Sequence, residues 1–234
     1  MNRRQFILAG VTMGVAGALL KPSNNGVPYN TYFNNINESL KRGGSYLPSM
    51  LVDLDILDNN IQALSKQLSN NVDYRIVAKS LPSPELLGYV MEKAKTNKLM
   101  VFHQPFLTQI ARDYPHSDIL MGKPMPVKAA ESFYQSHLEE SSFQSNKQLQ
   151  WLIDSKDRLE QYLQLAKSIQ QTLQINVELD VGLHRGGLQQ ESELDEILKI
   201  VDDNPQYLIF SGFMGYDPHV VKIPSIIMSA EQAF

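Results

Sequence analysis

Lys79 closes the apolar run Tyr74-Arg75-Ile76-Val77-Ala78 and is followed by Ser80, Pro82, Ser83 and Pro84. An ammonium at the end of a buried strand is costly to desolvate, so its position needs a reason. One reason is chemical: burial favours the neutral amine, which forms a Schiff base with an aldehyde. The plain alternative is a lysine whose stem lies along the strand while its head reaches water. Three further groups close later apolar runs: His103 and Gln104; the stretch Asp180-Val181-Gly182-Leu183-His184-Arg185-Gly186-Gly187; and Tyr216-Asp217-Pro218-His219. The glycines around Arg185 allow positive φ or close backbone approach to a ligand. Arg185 itself is a permanent cation with planar donor geometry, suited to a phenolate or a carboxylate.

The elements that must position these groups alternate in type. Short apolar runs fall at Met50–Leu54, Arg75–Ala78, Leu99–Phe102, Asp118–Met121, Leu149–Ile153, Ile175–Leu179 and Tyr207–Phe210. Between them lie amphipathic segments, from Leu57 to Leu68, Pro84 to Ala94, Leu107 to Arg112, Pro126 to Glu139, Asp157 to Leu173 and Glu191 to Val201. This rhythm predicts repeated βα units on a parallel sheet. Seven such strands fit a (β/α)8 TIM-type barrel, whose functional groups collect at the carboxyl ends of its strands. An open doubly wound sheet is the competing arrangement, but no Gly-x-Gly-x-x-Gly follows an early strand. Residues 222–229 are the candidate for an eighth strand and are short, so the barrel is expected to be incomplete at its C-terminal end.

Composition removes several function classes. The chain has 234 residues, 43% of them hydrophobic and 20% charged, and a net charge of −4. There is no basic stripe with interleaved aromatics for nucleic acid. With no cysteine, thiolate catalysis, disulfides and Cys-based zinc sites are excluded. The five histidines have no i, i+4 pair, so no metal ligand is assigned. Asp53 and Asp55 read as a strand end and a helix cap, which leaves no carboxylate cluster for a sugar- or metal-dependent barrel.

The N-terminus opens Asn2-Arg3-Arg4-Gln5-Phe6-Ile7-Leu8, followed by an uncharged run to Leu20. Residues 1–20 are read as an export signal of the twin-arginine type, which places the protein in the periplasm. The alternative is a membrane anchor, for which the run is short. Residues 21–46, rich in Asn, Gly, Ser and Pro, are read as a linker, and residues 47–234 as the barrel.

Taken in order, four stretches resemble the alanine racemase N-terminal-domain family of pyridoxal-phosphate barrels. They are Pro48-Ser49-Met50-Leu51-Val52-Asp53-Leu54-Asp55; Arg75-x-x-x-Lys79; Glu178-x-Asp180-x-Gly182-x-x-Arg185-x-Gly187; and Gly212-Phe213-Met214-Gly215-Tyr216-Asp217-x-His219. The resemblance covers about residues 47 to 220 and is nearest to the D-threonine aldolase and D-serine dehydratase branch. It implies pyridoxal 5'-phosphate as cofactor, held by a Schiff base on Lys79, with Arg185 near the phenolic oxygen and Tyr216 and His219 close to cofactor or substrate. It implies a D-amino acid or β-hydroxy-D-amino acid as the small-molecule partner, a lyase or racemase reaction, and a homodimer. A non-catalytic cofactor-binding barrel is the alternative. That branch usually reads Arg-Pro-His-x-Lys-x-His-Lys around the lysine, whereas this chain reads Arg75-Ile76-Val77-Ala78-Lys79-Ser80-Leu81-Pro82. The branch also carries a C-terminal β-domain with divalent-metal ligands, which is expected to be absent here.

Overall fold

In the computed structural model the described residues are 28–44, 47–69, 71–81, 83–137 and 142–220. The expected signal at 1–20 and the candidate strand at 222–229 lie outside them. The chain divides into two units, Met1–Val52 and Asp53–Phe234.

The first unit holds helix α1, Thr31–Gly43, within the stretch read as a linker. The Asn30 side chain accepts from the Phe33 backbone N–H, and Gly44 ends the helix at φ 67. These are standard start and stop devices. They were hidden by the asparagines that fill the polar face.

The second unit is built on six parallel strands: β1 Ile76–Val77, β2 Lys98–Val101, β3 Asp118–Met121, β4 Leu149–Ile153, β5 Leu173–Leu179 and β6 Leu208–Gly215. Their order in the sheet is the order in the chain. A doubly wound sheet reverses direction part-way; strictly sequential winding is the barrel type. The helices are α2 Leu54–Ser65, α3 Pro84–Ala94, α4 Gln104–Asp113, α5 Val127–His137, the single turn α6 Ser145–Gln148, α7 Lys156–Ile169 and α8 Glu191–Asp202. Several begin on a side chain that accepts a first-turn N–H: Asp53 for α2, Ser83 for α3, His103 for α4 and Ser155 for α7. Helix α8 starts with a capping box between Gln190 and Glu193. None of the described helices is long and apolar enough to cross a membrane.

Alternation along the strands sorts their side chains onto two faces. On β5, Leu173, Ile175 and Val177 are buried in the core with Leu159, Tyr162 and Ile197. The opposite face carries Gln174, Asn176 and Glu178. A polar ladder crosses this second face: Asn176 Nδ2 donates to Gln150 Oε1 (2.7 Å), and Gln150 Nε2 donates to Asp118 Oδ1 (3.1 Å). Asp118 also pairs with Arg75 at 2.7 Å. Arg75 is therefore held at the amino edge of the sheet, away from the end where Lys79 stands. It also donates to the carbonyls of Leu99 and Asp118.

Three expectations for strands change. The run Met50–Leu54 forms no strand: Leu54 opens helix α2 and Asp53 caps it. Met50, Leu51 and Val52 are exposed, so no burial rewards their pairing. Strand β1 is two residues long, because the backbone turns into a single 3-10 turn over Ala78–Ser80, closed by Leu81 N–H to Ala78 O at 2.9 Å. Strand β6 runs five residues beyond Phe210. A register shift at Ile175/Asn176 lets it continue, with Gly212 at φ 143 opposite Asn176.

Candidate active site

The carboxyl edge of the sheet gathers the groups singled out above. After β5 the chain enters a loop organised by one carboxylate. Asp180 Oδ1 accepts from the backbone N–H of Gly182 (3.1 Å) and of His184 (2.9 Å). Its Oδ2 accepts from His184 Nδ1 at 2.8 Å and from Gln189 Nε2 at 3.2 Å. These bonds, led by the one to the His184 ring, hold the Asp180 carboxyl at about 2, well below the ordinary range. The loop closes on the strand through Leu188, which donates to Glu178 O and accepts from Asp180 N, each at 2.9 Å. Gly187 makes this closure possible. At φ 97, a Cβ there would lie 2.8 Å from Glu178 O.

This loop presents Arg185. Its guanidinium makes an ion pair with Glu178, and its Cζ lies 4.4 Å from the centre of the Tyr216 ring just past β6. Glu178 is 3% exposed. A carboxylate so enclosed requires a paired cation, and Arg185 supplies it. Gly215 lies against Val181, where a Cβ would be 3.0 Å from a methyl group, so the end of β6 packs closely on the loop.

Lys79 stands at the same edge but just past β1, at the other end of the strand order. Contrary to the buried strand end expected, its side chain is exposed and sits on the 3-10 turn. It makes no ion pair among the described residues, and its Nζ lies 4.2 Å from the centre of the Phe102 ring. His103 is a helix cap: Nδ1 accepts from Phe106 N–H at 3.3 Å, and the ring stacks on Phe106. Gln104 Nε2 donates to Thr108. His219 is half-buried in the turn that Val220 N–H closes on Asp217 O at 3.1 Å. Arg185 and Tyr216 are thus brought together, while Lys79 follows the strand at the other end of the order and His219 lies in the turn after β6. Among the described residues no group of three or more His, Asp or Glu side chains is placed to hold a metal ion.

Sequence reasoning gave Glu178 and Phe102 no role. The signal for Glu178 was present: it sits two residues before Asp180 on an apolar strand, on the face of Asn176, with an arginine seven residues on. Phe102 left no such signal, since its partners lie on neighbouring strands.

The profile of the alanine racemase N-terminal domain matches residues 52–231. The chain belongs to this family. No curated protein matches it by sequence. Among solved structures it is similar to alanine racemase from Bacillus anthracis, with 17% identity and a TM-score of 0.62 over 80% of this chain and 48% of that one. A variant of D-threo-3-hydroxyaspartate dehydratase aligns with 14% identity and a TM-score of 0.63, over 81% and 48%. Histidine racemase from Leuconostoc mesenteroides aligns with 11% identity and a TM-score of 0.57, over 76% and 45%. At these identities the likeness establishes the fold. The family member spans less than half the length of each of these structures.

Proposed function

We propose that this chain holds pyridoxal 5'-phosphate covalently through Lys79 Nζ and acts on a D-amino acid or a β-hydroxy-D-amino acid as a lyase. The observation that carries the reading is one of placement. An exposed lysine amine with no carboxylate partner among the described residues and an arginine fixed by a buried carboxylate stand on the same carboxyl edge of one parallel sheet. In barrels of this type that edge is the reactive one.

The residues suit the cofactor. Its phenolic oxygen is acidic and calls for a fixed cation; Arg185, locked by Glu178 and stacked on Tyr216, retains donors for it. When bound, the cofactor supplies an electron sink for negative charge at the substrate Cα. The protein's work is positional and electrostatic. Lys79 takes and returns a proton at that carbon. Glu178 holds the Arg185 guanidinium in one orientation, and Tyr216 covers its face. Loop 180–189, tied by Asp180, keeps this group in place without rearrangement during turnover. His219 is assigned to the same rim, against cofactor or substrate.

The names of the similar structures include racemases and a dehydratase, and both reaction types begin at Cα. The choice of lyase rests on the sequence resemblance to the aldolase and dehydratase branch.

Adding pyridoxal phosphate to the purified chain is expected to produce the visible absorbance band of the lysine-bound cofactor, and Lys79→Ala to abolish it. No band at saturating cofactor would overturn the reading. Turnover of D-threonine or D-serine, with and without Mn2+, against racemisation of the same compounds separates lyase from racemase.

A further inference from the structure

Phe102 stands on the rim and takes no part in the cofactor reading. It is the first residue after β2, between the ends of β1 and β3. One face of its ring meets Lys79 Nζ at 4.2 Å from the centroid. Its far edge occupies the space beside Gly122, the first residue after β3. A Cβ on Gly122 would lie 2.4 Å from Phe102 Cζ and 2.6 Å from Cε1. It would also lie 2.8 Å from Met100 Cγ, so a side chain at this position would displace both neighbours. Lysine, aromatic ring and glycine therefore fall on three successive strand ends, in an arrangement that depends on the glycine.

Lys79 needs such a support. It projects, itself exposed, from a single 3-10 turn, and a free lysine side chain has many rotamers to choose among. The ring face attracts an ammonium, and its surface also takes the aliphatic stem. Both contributions favour one position of Nζ over many.

We propose that Phe102 is the positioning residue for Lys79. Its ring, seated on Gly122, fixes where the amine stands at the rim and so the orientation of a cofactor joined to it. This rests on the cofactor reading above. It adds a residue whose effect passes through Lys79, and it explains why β3 is followed by glycine.

The test uses the full chain with Phe102→Leu, Phe102→Tyr, Gly122→Ala and Lys79→Arg. Without cofactor, the lysines are reductively methylated with a 13C label, and the signal missing from Lys79→Arg is that of Lys79. The Phe102 ring current should move it upfield. The shift should vanish in Phe102→Leu, persist in Phe102→Tyr and shrink in Gly122→Ala, where the ring is kept but displaced. With cofactor, Phe102→Leu should release it about two- to fivefold faster, the equivalent of 0.5–1 kcal/mol. Visible circular dichroism per unit of visible absorbance should fall, and Phe102→Tyr should restore both. If Phe102→Leu fails to fold, Gly122→Ala carries the same comparison. A Lys79 signal identical in wild type and Phe102→Leu overturns the inference. So does a wild-type absorbance band whose release rate and dichroism the variants leave unchanged, and that result spares the cofactor reading. No band in the wild type overturns the cofactor reading and this inference with it.

Discussion

Arg185 owes its place to two neighbours of opposite kind, a buried carboxylate that fixes its charge and an aromatic face that fixes its plane. Replacing Glu178 by Gln keeps the shape and removes the charge. A loss of about 1–3 kcal/mol in unfolding free energy is expected from the weakened bond, measured by denaturant titration. The Asp180 carboxyl gives a prediction with a defined pH window. Its folded value lies near 2, below the ordinary value of an unfolded aspartate. A depressed carboxyl contributes stability that is complete above the unfolded value and is lost as pH falls through the folded one. Thermal unfolding of the wild type should therefore weaken between about pH 4 and pH 2. Asp180→Asn should melt lower at neutral pH and show a shallower acid dependence; parallel curves for the two proteins would refute the assignment. Gly187→Ala forces a side chain into a positive-φ site against Glu178 O, at a cost of about 1–3 kcal/mol.

At the level of elements, the sequence was most readable where burial and local signals agree. Strands β3 and β4 run over the residues their apolar patterns predict, Asp118–Met121 and Leu149–Ile153. Helices α3, α7 and α8 fall within a few residues of their predicted bounds at most ends. Helix α7 instead stops at Ile169, where Gln170 takes φ 53 and turns the chain toward β5. The misses have physical causes. Strand β6 continues through Ser211 and Gly212, residues that interrupt an apolar pattern but suit a bulge. The run at Met50 reads as a strand by composition, yet the Asp53 cap draws the following residues into a helix. The site was legible where one loop holds its parts, as with Asp180 to Gly187. It was illegible where partners come from different strands, as with Lys79, Phe102 and Gly122. The core between β4 and helices α5 and α7 is organised by Trp151, whose Nε1 donates to Tyr134 Oη at 2.9 Å among the rings of Phe133 and Tyr162. Burial drives the phenol of Tyr134 far above its ordinary range, so it stays neutral at working pH. Trp151→Ala should cost about 3–5 kcal/mol, read from a denaturation midpoint.

Over the whole molecule, the family membership and the sequential sheet agree with the barrel read from the βα rhythm. We propose that residues 1–20 direct export through the twin-arginine route. Arg3→Lys with Arg4→Lys is expected to keep the precursor in the cytoplasm, as judged by cell fractionation; unchanged periplasmic recovery would reject that route. The strand order has a kinetic consequence. Each strand pairs with its predecessor across only about 20 to 35 residues of chain, so the search for partners stays local. Contact order is then low for a parallel sheet, and loop-closure entropy is met in small steps. Each strand can add to a finished edge as it leaves the ribosome, and the sheet can grow in the direction of synthesis.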